Sequence, residues 1–411
     1  MASQHPDWVA SINALGENLG DAGRSMVALD EDTVLAAAVR NTGLRDFGDD
    51  WFREPLRLLL CALEQEAELN LLGRLLARAD VQRYLQNRLR IEDFWKQHPE
   101  LGEEDVANPI FVCGLGRTGT TLLHELLSQD SAHRVPLLWE MLFSVPPPET
   151  ASYVNDPRIR AADREIKMQD HIDPTFTSMH VNAGNLPNEC IFIFGLQFLG
   201  DSFAAQYHVP SYSSGMAGRD LRPVYAYHKR VLQLLQWKHK KERWVLKAPS
   251  HLGRLDSLFA VYPDARVVVT HRDPLCVISS LSSLRATLKG MRSDRVDRDV
   301  DMGVTSAGLQ SQLESCMRLR DGLGERSAQI VDVRYRDLVD DPLETLGGLY
   351  AQWGLPLSSE AQARMRSYIA ANPQGKGGVH RHSFADTGLD LAQERARFAA
   401  YQARFQVPSE I

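Results

Sequence analysis

Residues 109–121 read Pro-Ile-Phe-Val-Cys-Gly-Leu-Gly-Arg-Thr-Gly-Thr-Thr, and this stretch decides the fold. Its apolar start predicts a buried strand, and Leu-Leu-His-Glu-Leu-Leu at 122–127 predicts a helix after a glycine-rich turn. A helix that begins directly after such a turn leaves backbone N–H groups without partners, and its dipole adds partial positive charge. The stretch therefore predicts an anion cradle, most often one for phosphate.

Two common phosphate-binding loops come close to this stretch. A P-loop needs a Lys after its second spaced glycine, where this chain has Thr120. The dinucleotide fingerprint G-x-G-x-x-G is matched over 114–119, and Glu140 stands about where a ribose-binding acid is expected, roughly 20 residues on. The dinucleotide fingerprint does not explain why the cation Arg117 is flanked by the hydroxyl residues Thr118, Thr120 and Thr121. A cation with several hydroxyls suits a terminal phosphate or a phosphosulfate.

A second informative stretch covers residues 243–284. Its pattern predicts strand, helix, strand and helix, as in a parallel sheet with helical crossovers. Arg272 falls where the second strand ends, and Ser280 falls on the helix that Pro274 opens. Residues at strand ends in such sheets face the ligand crevice.

Together these stretches resemble the sulfotransferases that use 3′-phosphoadenosine-5′-phosphosulfate (PAPS), in their bacterial-type branch. The family's 5′-phosphosulfate loop has a basic residue, Ser or Thr, Gly, Thr and Thr after a strand, and an Arg and a Ser at the spacing of the second stretch grip the 3′-phosphate. The resemblance implies an α/β fold with a P-loop-like parallel sheet flanked by helices, PAPS as cosubstrate and no metal. The nucleotide-binding residues that it implies are Gly116, Arg117, Thr118, Gly119, Thr120, Thr121, Arg272 and Ser280.

Two later segments extend the resemblance. Residues 331–342 are similar to the family's Tyr-Glu-Asp-Leu segment, with Arg336 in place of its Glu, which makes Tyr335 the candidate adenine contact. The glycine-rich segment 374–386 is similar to the family's C-terminal nucleotide loop and contributes Lys376 and Arg381. A packing tyrosine and a solvated basic loop are the alternative readings.

Sulfuryl transfer needs positioning, cations near the moving charge and a base for the proton of the nucleophile. The predicted catalytic cations are Arg117 and Lys247, the second by its likeness to the family's lysine near the sulfonate. The best-known cytosolic members have His two residues after that lysine, where this chain has Pro249. A Glu beyond the first helix serves as base in other branches, which nominates Glu140. A structural ion pair with an arginine is the alternative role for Glu140.

The segment 141–240 is rich in aromatics, His and Pro, and we expect it to form the acceptor wall. Within it, His180 and Glu189 either hold the acceptor hydroxyl or cap a following apolar helix. His251 is a further substrate candidate, or else a solvent-facing histidine at a helix start. The predicted acceptor is a small-molecule or lipid-like hydroxyl compound.

Composition sets the remaining expectations. The length of 411 residues favours a main domain plus an extension. A helical pattern without strand signals from about Asp30 to Asp105 predicts a helical N-terminal extension over 1–105, and the resemblance implies a sulfotransferase α/β domain over 106–411. The net charge of −7 argues against nucleic-acid partners. No apolar run is long enough for an integral membrane segment. Scattered cysteines and no signal region predict a cytoplasmic protein without disulfides or zinc.

Two rival functions and one open question remain at this point. A P-loop-type nucleotide or small-molecule kinase would need the missing lysine and Mg²⁺. A catalytically inactive nucleotide-binding scaffold is the second rival, because Pro249 removes the familiar base. The sequence leaves the oligomeric state open.

Overall fold

The computed structural model describes residues 5–179, 182–296, 298–373 and 383–411. Its centre is a five-stranded parallel sheet with the strand order β2-β3-β1-β4-β5. The strands are β1 (Ile110–Gly114), β2 (His133–Arg134), β3 (Arg243–Lys247), β4 (Arg266–His271) and β5 (Ile330–Arg334).

Helices make up most of the rest of the described chain. They are α1 (Asp7–Leu19), α2 (Asp21–Met26), α3 (Glu31–Thr42), α4 (Arg53–Gln65), α5 (Leu71–Gln97), α6 (Thr120–Leu127), α7 (Leu138–Leu142), α8 (Pro157–Ile166), α9 (Met168–Ile172), α10 (Ile191–Phe194), α11 (Asp201–Gln206), α12 (Pro210–Met216), α13 (Arg222–Gln236), α14 (Leu255–Val261), α15 (Pro274–Gly290), α16 (Arg298–Asp321), α17 (Tyr335–Asp340), α18 (Pro342–Gln352), α19 (Ser359–Ala371) and α20 (Leu391–Phe405). Residues 5–105 contain α1 to α5 and no strand. The predicted fold class, a parallel sheet flanked by helices with a helical extension before it, is confirmed.

The position of β1 between β3 and β4 organises the sheet. Val112 pairs with Lys247 on one side, and Gly114 pairs with Thr270 on the other. All five residues of β1 are buried, as expected for a parallel strand covered on both faces. Because the strands are parallel, the ends of β1, β3, β4 and β5 meet at one edge of the sheet, where ligands bind in such folds.

The N-terminal helices share apolar clusters with the rest of the molecule. Leu56 and Leu85 belong to the same buried cluster as Phe111 of β1. A smaller cluster joins α1 and α5 to later segments through Val9, Leu72, Phe176, Leu288 and Met291. The first hundred residues are therefore packed on the α/β layers through continuous apolar contact.

Gly73 marks the closest approach between α5 and the chain after α15. The backbone N–H of Asn70 donates to the carbonyl oxygen of Arg292 at 3.1 Å. A Cβ on residue 73 would lie 1.9 Å from that same oxygen, so any larger residue forces the two segments apart.

We expect Gly73→Ala to lower the free energy of unfolding by about 1–3 kcal/mol, the usual range for overpacking. Gly347→Ala in α18 is the matched control, because a Cβ there meets nothing within 4 Å. Alanine is also favoured over glycine in a helix interior by about 1 kcal/mol. Thermal unfolding of the two variants gives the comparison, and equal midpoints would contradict the close contact at residue 73.

Candidate functional site

The loop between β1 and α6 is tied tightly to its neighbours. Gly114 has φ 150°, and a Cβ there would lie 2.3 Å from Oγ1 and 2.6 Å from the carbonyl oxygen of Thr270. Gly119 has φ 87°, and a Cβ there would lie 3.1 Å from the ring of Tyr335. Glycine is required at both ends of the loop because other residues rarely adopt these angles and because the space is taken.

The first turn of α6 borders an open cavity. Gly119 caps the helix without any side-chain hydrogen bond, so the first N–H groups lack an intrahelical or side-chain partner. Gly116, Gly119, Thr120 and Thr121 line the cavity. This is the arrangement expected of the predicted anion cradle.

Thr118 departs from the expected role of its side chain. Its hydroxyl lies 2.6 Å from the carbonyl oxygen of Leu115 and 2.6 Å from Oγ1 of Thr270, and the residue is fully buried. The hydroxyl therefore fastens the loop to β4. The structure corrects the expectation that this hydroxyl faces the anion.

Arg117 holds an unusual backbone conformation at the cradle. Its φ is 68°, which costs roughly 1–3 kcal/mol for a residue other than glycine. Nε donates to Oγ of Ser280 at 3.1 Å, and Nη1 donates to the carbonyl oxygen of Met179 at 3.2 Å. Burial, and to a smaller extent the nearby Arg272, lowers the pKa of Arg117. The loop thus holds Arg117 in a strained backbone conformation, with its guanidinium near that of Arg272.

Arg272, directly after β4, joins the cradle to Tyr335. Its Nη1 donates to the carbonyl oxygen of Arg117 at 3.1 Å. The guanidinium lies 4.0 Å from the centroid of the Tyr335 ring. Its Nε and Nη2 donate to the carboxylate of Glu410. The structure therefore brings Arg117, Ser280, Arg272 and Tyr335 together.

Lys247 forms a second group at the same edge of the sheet. Its side chain is nearly buried, and Nζ donates to Oε1 of Glu189 at 2.6 Å and to Oγ1 of Thr121 at 3.4 Å. The N–H of Cys190 donates to the carbonyl oxygen of Lys247 at 2.8 Å. This backbone bond fixes the segment that carries Glu189 at the end of β3.

One cavity of about 810 Å³ adjoins both groups. Its lining includes the cradle, Arg272, Tyr335 and Glu189. Apolar side chains line it as well, and together they are called the apolar wall here: Phe176, Phe192, Ala204, Ala205, Leu281, Leu284 and Leu288. Polar residues such as Gln169, Gln206 and Arg285 also border the cavity, so anion-attracting groups and apolar side chains share one space.

Glu140, the predicted base, is not at this cavity. It is fully buried, and its carboxylate is ion-paired with Arg134. The carboxylate also accepts hydrogen bonds from the Tyr153 hydroxyl at 2.9 Å and from the N–H of Leu137 at 2.8 Å. The structure corrects the assignment, because a saturated and enclosed carboxylate cannot reach an acceptor in the cavity.

His251 is also corrected as a substrate residue. It is fully buried, and Nδ1 lies 2.8 Å from the hydroxyl of Tyr225. Burial, with smaller effects of His228 and Arg254, holds the pKa of His251 well below its usual value. The ring is part of an aromatic core behind the site. The other three candidates, His180, Lys376 and Arg381, lie outside the described residues.

Sequence reasoning missed two features of the site. The apolar wall draws on residues of α11, which carries no motif, and on residues of α15 next to Ser280, and neither set was predicted to line the site. Glu410 had no signal at all, since nothing in its neighbours relates it to Arg272. Among the described residues, no cluster of His, Cys, Asp or Glu side chains is suited to a metal ion. In the same residues, no helix has the length and apolar character needed to cross a membrane.

Comparisons with known proteins point to one enzyme family. Residues 109–359 match the model of a family described as the sulfotransferase family. Over 273 residues the chain is 28% identical to the omega-hydroxy-beta-dihydromenaquinone-9 sulfotransferases of Mycobacterium bovis and Mycobacterium tuberculosis. That alignment covers 64% of this chain and 66% of each relative, slightly less than two thirds of their length.

Two crystal structures are similar over nearly the whole chain. A sulfotransferase from Mycobacterium tuberculosis superposes with a TM-score of 0.79 and 35% identity, covering 91% of this chain and 99% of the other. A sulfotransferase from Mycobacterium avium gives a TM-score of 0.84 at 27% identity, covering 93% of this chain and 98% of the other.

We expect Glu140→Gln to lower the free energy of unfolding by about 3 kcal/mol, because it leaves the buried charge of Arg134 unpaired. Glu54→Gln is the matched control, since Glu54 pairs with Arg219 at the surface and such pairs contribute about 0–1 kcal/mol. Denaturant unfolding measures both changes. A Glu140→Gln variant as stable as the control would show that the carboxylate has no structural role.

Proposed function

The chain belongs to the sulfotransferase family, and on that premise we propose that it transfers a sulfuryl group from PAPS to the hydroxyl of a lipid-like acceptor. The observation that carries the proposal is the cavity whose lining combines the cationic cradle with the apolar wall. A charged donor and an apolar acceptor can bind in this cavity at the same time.

Donor binding follows from the two arginines and the helix start. The free N–H groups of α6 and the Arg117 guanidinium suit the 5′-phosphosulfate. Arg272 and Ser280 suit the 3′-phosphate, since the fork of an arginine matches a pair of phosphate oxygens. Tyr335, whose ring already packs under Arg272, suits the adenine. A P-loop kinase is disfavoured because Thr120 stands where its lysine would be.

Glu189 replaces Glu140 as the proposed base. Two acids line the cavity among the described residues, Glu189 and Asp201. Both are ion-paired, Asp201 with Arg254 at 2.9 Å and Glu189 with Lys247 at 2.6 Å. Glu189 is the better candidate because its partner Lys247 also contacts Thr121 of the cradle. A carboxylate at that place can accept the proton of an incoming hydroxyl.

The transfer then proceeds in line and without a metal. The acceptor oxygen forms a bond to sulfur as its proton passes to Glu189. The bond from sulfur to the bridging oxygen breaks, and the electron pair remains on the 5′-phosphate. Lys247 and Arg117 offset the negative charge on the sulfonate and on the bridging oxygen during this step.

The acceptor class follows from the apolar wall. Phe176 and Leu288 line the cavity and also belong to the cluster that contains Val9 and Leu72. A wall of this kind favours an alcohol with a long apolar body. The relatives from Mycobacterium bovis and Mycobacterium tuberculosis are named for a hydroxylated menaquinone derivative, which supports the same class for this chain.

We expect Arg272→Ala to weaken binding of adenosine 3′,5′-bisphosphate about 10- to 100-fold. The reason is that the variant loses charge-assisted hydrogen bonds to the 3′-phosphate, which contribute about 1.5–3 kcal/mol. Binding of adenosine 5′-monophosphate, which lacks the 3′-phosphate, should weaken much less, because it loses only the support that Arg272 gives to Arg117 and Tyr335. Arg318→Ala is the control, because that arginine is 69% exposed on α16. Calorimetric titration gives all affinities. Tighter binding of ATP with Mg²⁺ than of the bisphosphate would favour a kinase.

We expect Glu189→Gln to lower kcat for labelled sulfuryl transfer from PAPS to long-chain alcohols about 100-fold or more, the usual share of a general base. Its affinity for adenosine 3′,5′-bisphosphate should persist. Glu149→Gln is the matched control, because Glu149 forms a lysine pair of the same 2.6 Å length with Lys238 at the surface. Undiminished transfer by Glu189→Gln would refute the base assignment. Absence of transfer by the wild type to every alcohol tested would favour an inactive scaffold.

A further inference from the structure

The segment after α20 reaches back to the nucleotide end of the site. Oε1 and Oε2 of Glu410 lie 3.1 and 3.2 Å from Nε of Arg272, and Oε2 lies 3.1 Å from its Nη2. The carboxylate therefore occupies one complete edge of the guanidinium. Its partner is the residue proposed above to bind the 3′-phosphate.

The backbone around Glu410 is held by bonds that do not involve this carboxylate. Its N–H donates to Oδ2 of Asp273 at 2.7 Å. Asp273 is fully buried and is paired with Arg395 at 2.7 and 2.8 Å. Arg395 in turn donates to the carbonyl oxygen of Ile411 at 2.5 Å. Neutralising the Glu410 carboxylate therefore removes a charge while leaving these anchors in place.

The contact leaves Arg272 with few free donors. Nε and one N–H of Nη2 are engaged by Glu410, and one N–H of Nη1 is engaged by the carbonyl oxygen of Arg117. Carboxylates and phosphates both bind a guanidinium through a pair of N–H donors. Two anions cannot share one pair, so a 3′-phosphate that binds Arg272 through Nε and Nη2 must displace Glu410.

The contact is also open enough to exchange. The side chains of Arg272 and Glu410 are 20% and 22% exposed. Ion pairs that water can reach contribute little, because solvation competes with the attraction. A phosphate carries more negative charge than a carboxylate near neutral pH. The phosphate therefore displaces Glu410 from Arg272, but the loss of the ion pair reduces the net binding free energy.

We propose that Glu410 is an internal competitor for Arg272 that lowers the affinity of the site for 3′-phosphorylated nucleotides. The proposal rests on the proposed function, since it needs Arg272 to bind the 3′-phosphate. Competition of this kind weakens retention of the product, adenosine 3′,5′-bisphosphate, and favours its release. A nucleotide without a 3′-phosphate need not displace Glu410 and is not affected.

The test compares two nucleotides on full-length variants by calorimetric titration at constant ionic strength. Glu410→Gln should bind adenosine 3′,5′-bisphosphate roughly three- to tenfold more tightly than the wild type, the range expected when a partly solvated ion pair no longer competes. Its affinity for adenosine 5′-monophosphate should not change. Glu360→Gln is the control, because it removes one negative charge from an exposed pair with Arg364 and should change neither affinity.

The other outcomes are distinguishable. Equal or weaker binding of the bisphosphate by Glu410→Gln would overturn the inference, and weaker binding would show that the carboxylate positions Arg272 instead. Equal tightening of both nucleotides would also overturn it, as a general charge effect. If the wild type itself does not prefer the bisphosphate to the monophosphate, the proposed role of Arg272 fails and the inference fails with it. Thermal unfolding of Glu410→Gln confirms that the fold is retained.

Discussion

The parallel pairing of β1 between β3 and β4 is the constraint on which the site depends. It sets the residues after β1, Lys247 at the end of β3 and Arg272 after β4 along one edge. The hydroxyl contact between Thr118 and Thr270 then fixes the loop to β4 at 2.6 Å. The spacing between Arg117, Lys247 and Arg272 is therefore set mainly by the register of the strands that carry them.

Local signals made the loop, strand and helix boundaries around the cradle predictable from the sequence. The glycine-rich loop, the strand that stops before Arg272 and the helix opened by Pro274 are each encoded by neighbouring residues. The confirmed family membership rests on the same region, since the family match covers residues 109–359. Such features can be predicted from the sequence because backbone angles and helix starts depend on a few consecutive residues.

The surroundings of the carboxylates were harder to predict. Glu140 has the alternative role given by the sequence, a structural ion pair with an arginine, and its burial encloses the carboxylate together with Arg134. Glu189 reaches Lys247 because a backbone bond joins segments that are 57 residues apart in the numbering, from Cys190 to Lys247. Nothing in either segment alone encodes that bond. The same holds for the solvent-facing position expected of His251, which the fold replaces by a buried place next to Tyr225.

The shared apolar cluster of Val9, Leu72, Phe176 and Leu288 has a consequence for how such a protein diversifies. Phe176 and Leu288 of the cavity lining pack in this cluster with α1 and α5, which precede the residues matched to the family model. Substitutions in those two helices can alter the apolar wall without touching the cradle or either arginine. On the proposed function, the range of acceptor alcohols can therefore change by substitution in one part of the chain while donor binding in another part stays the same.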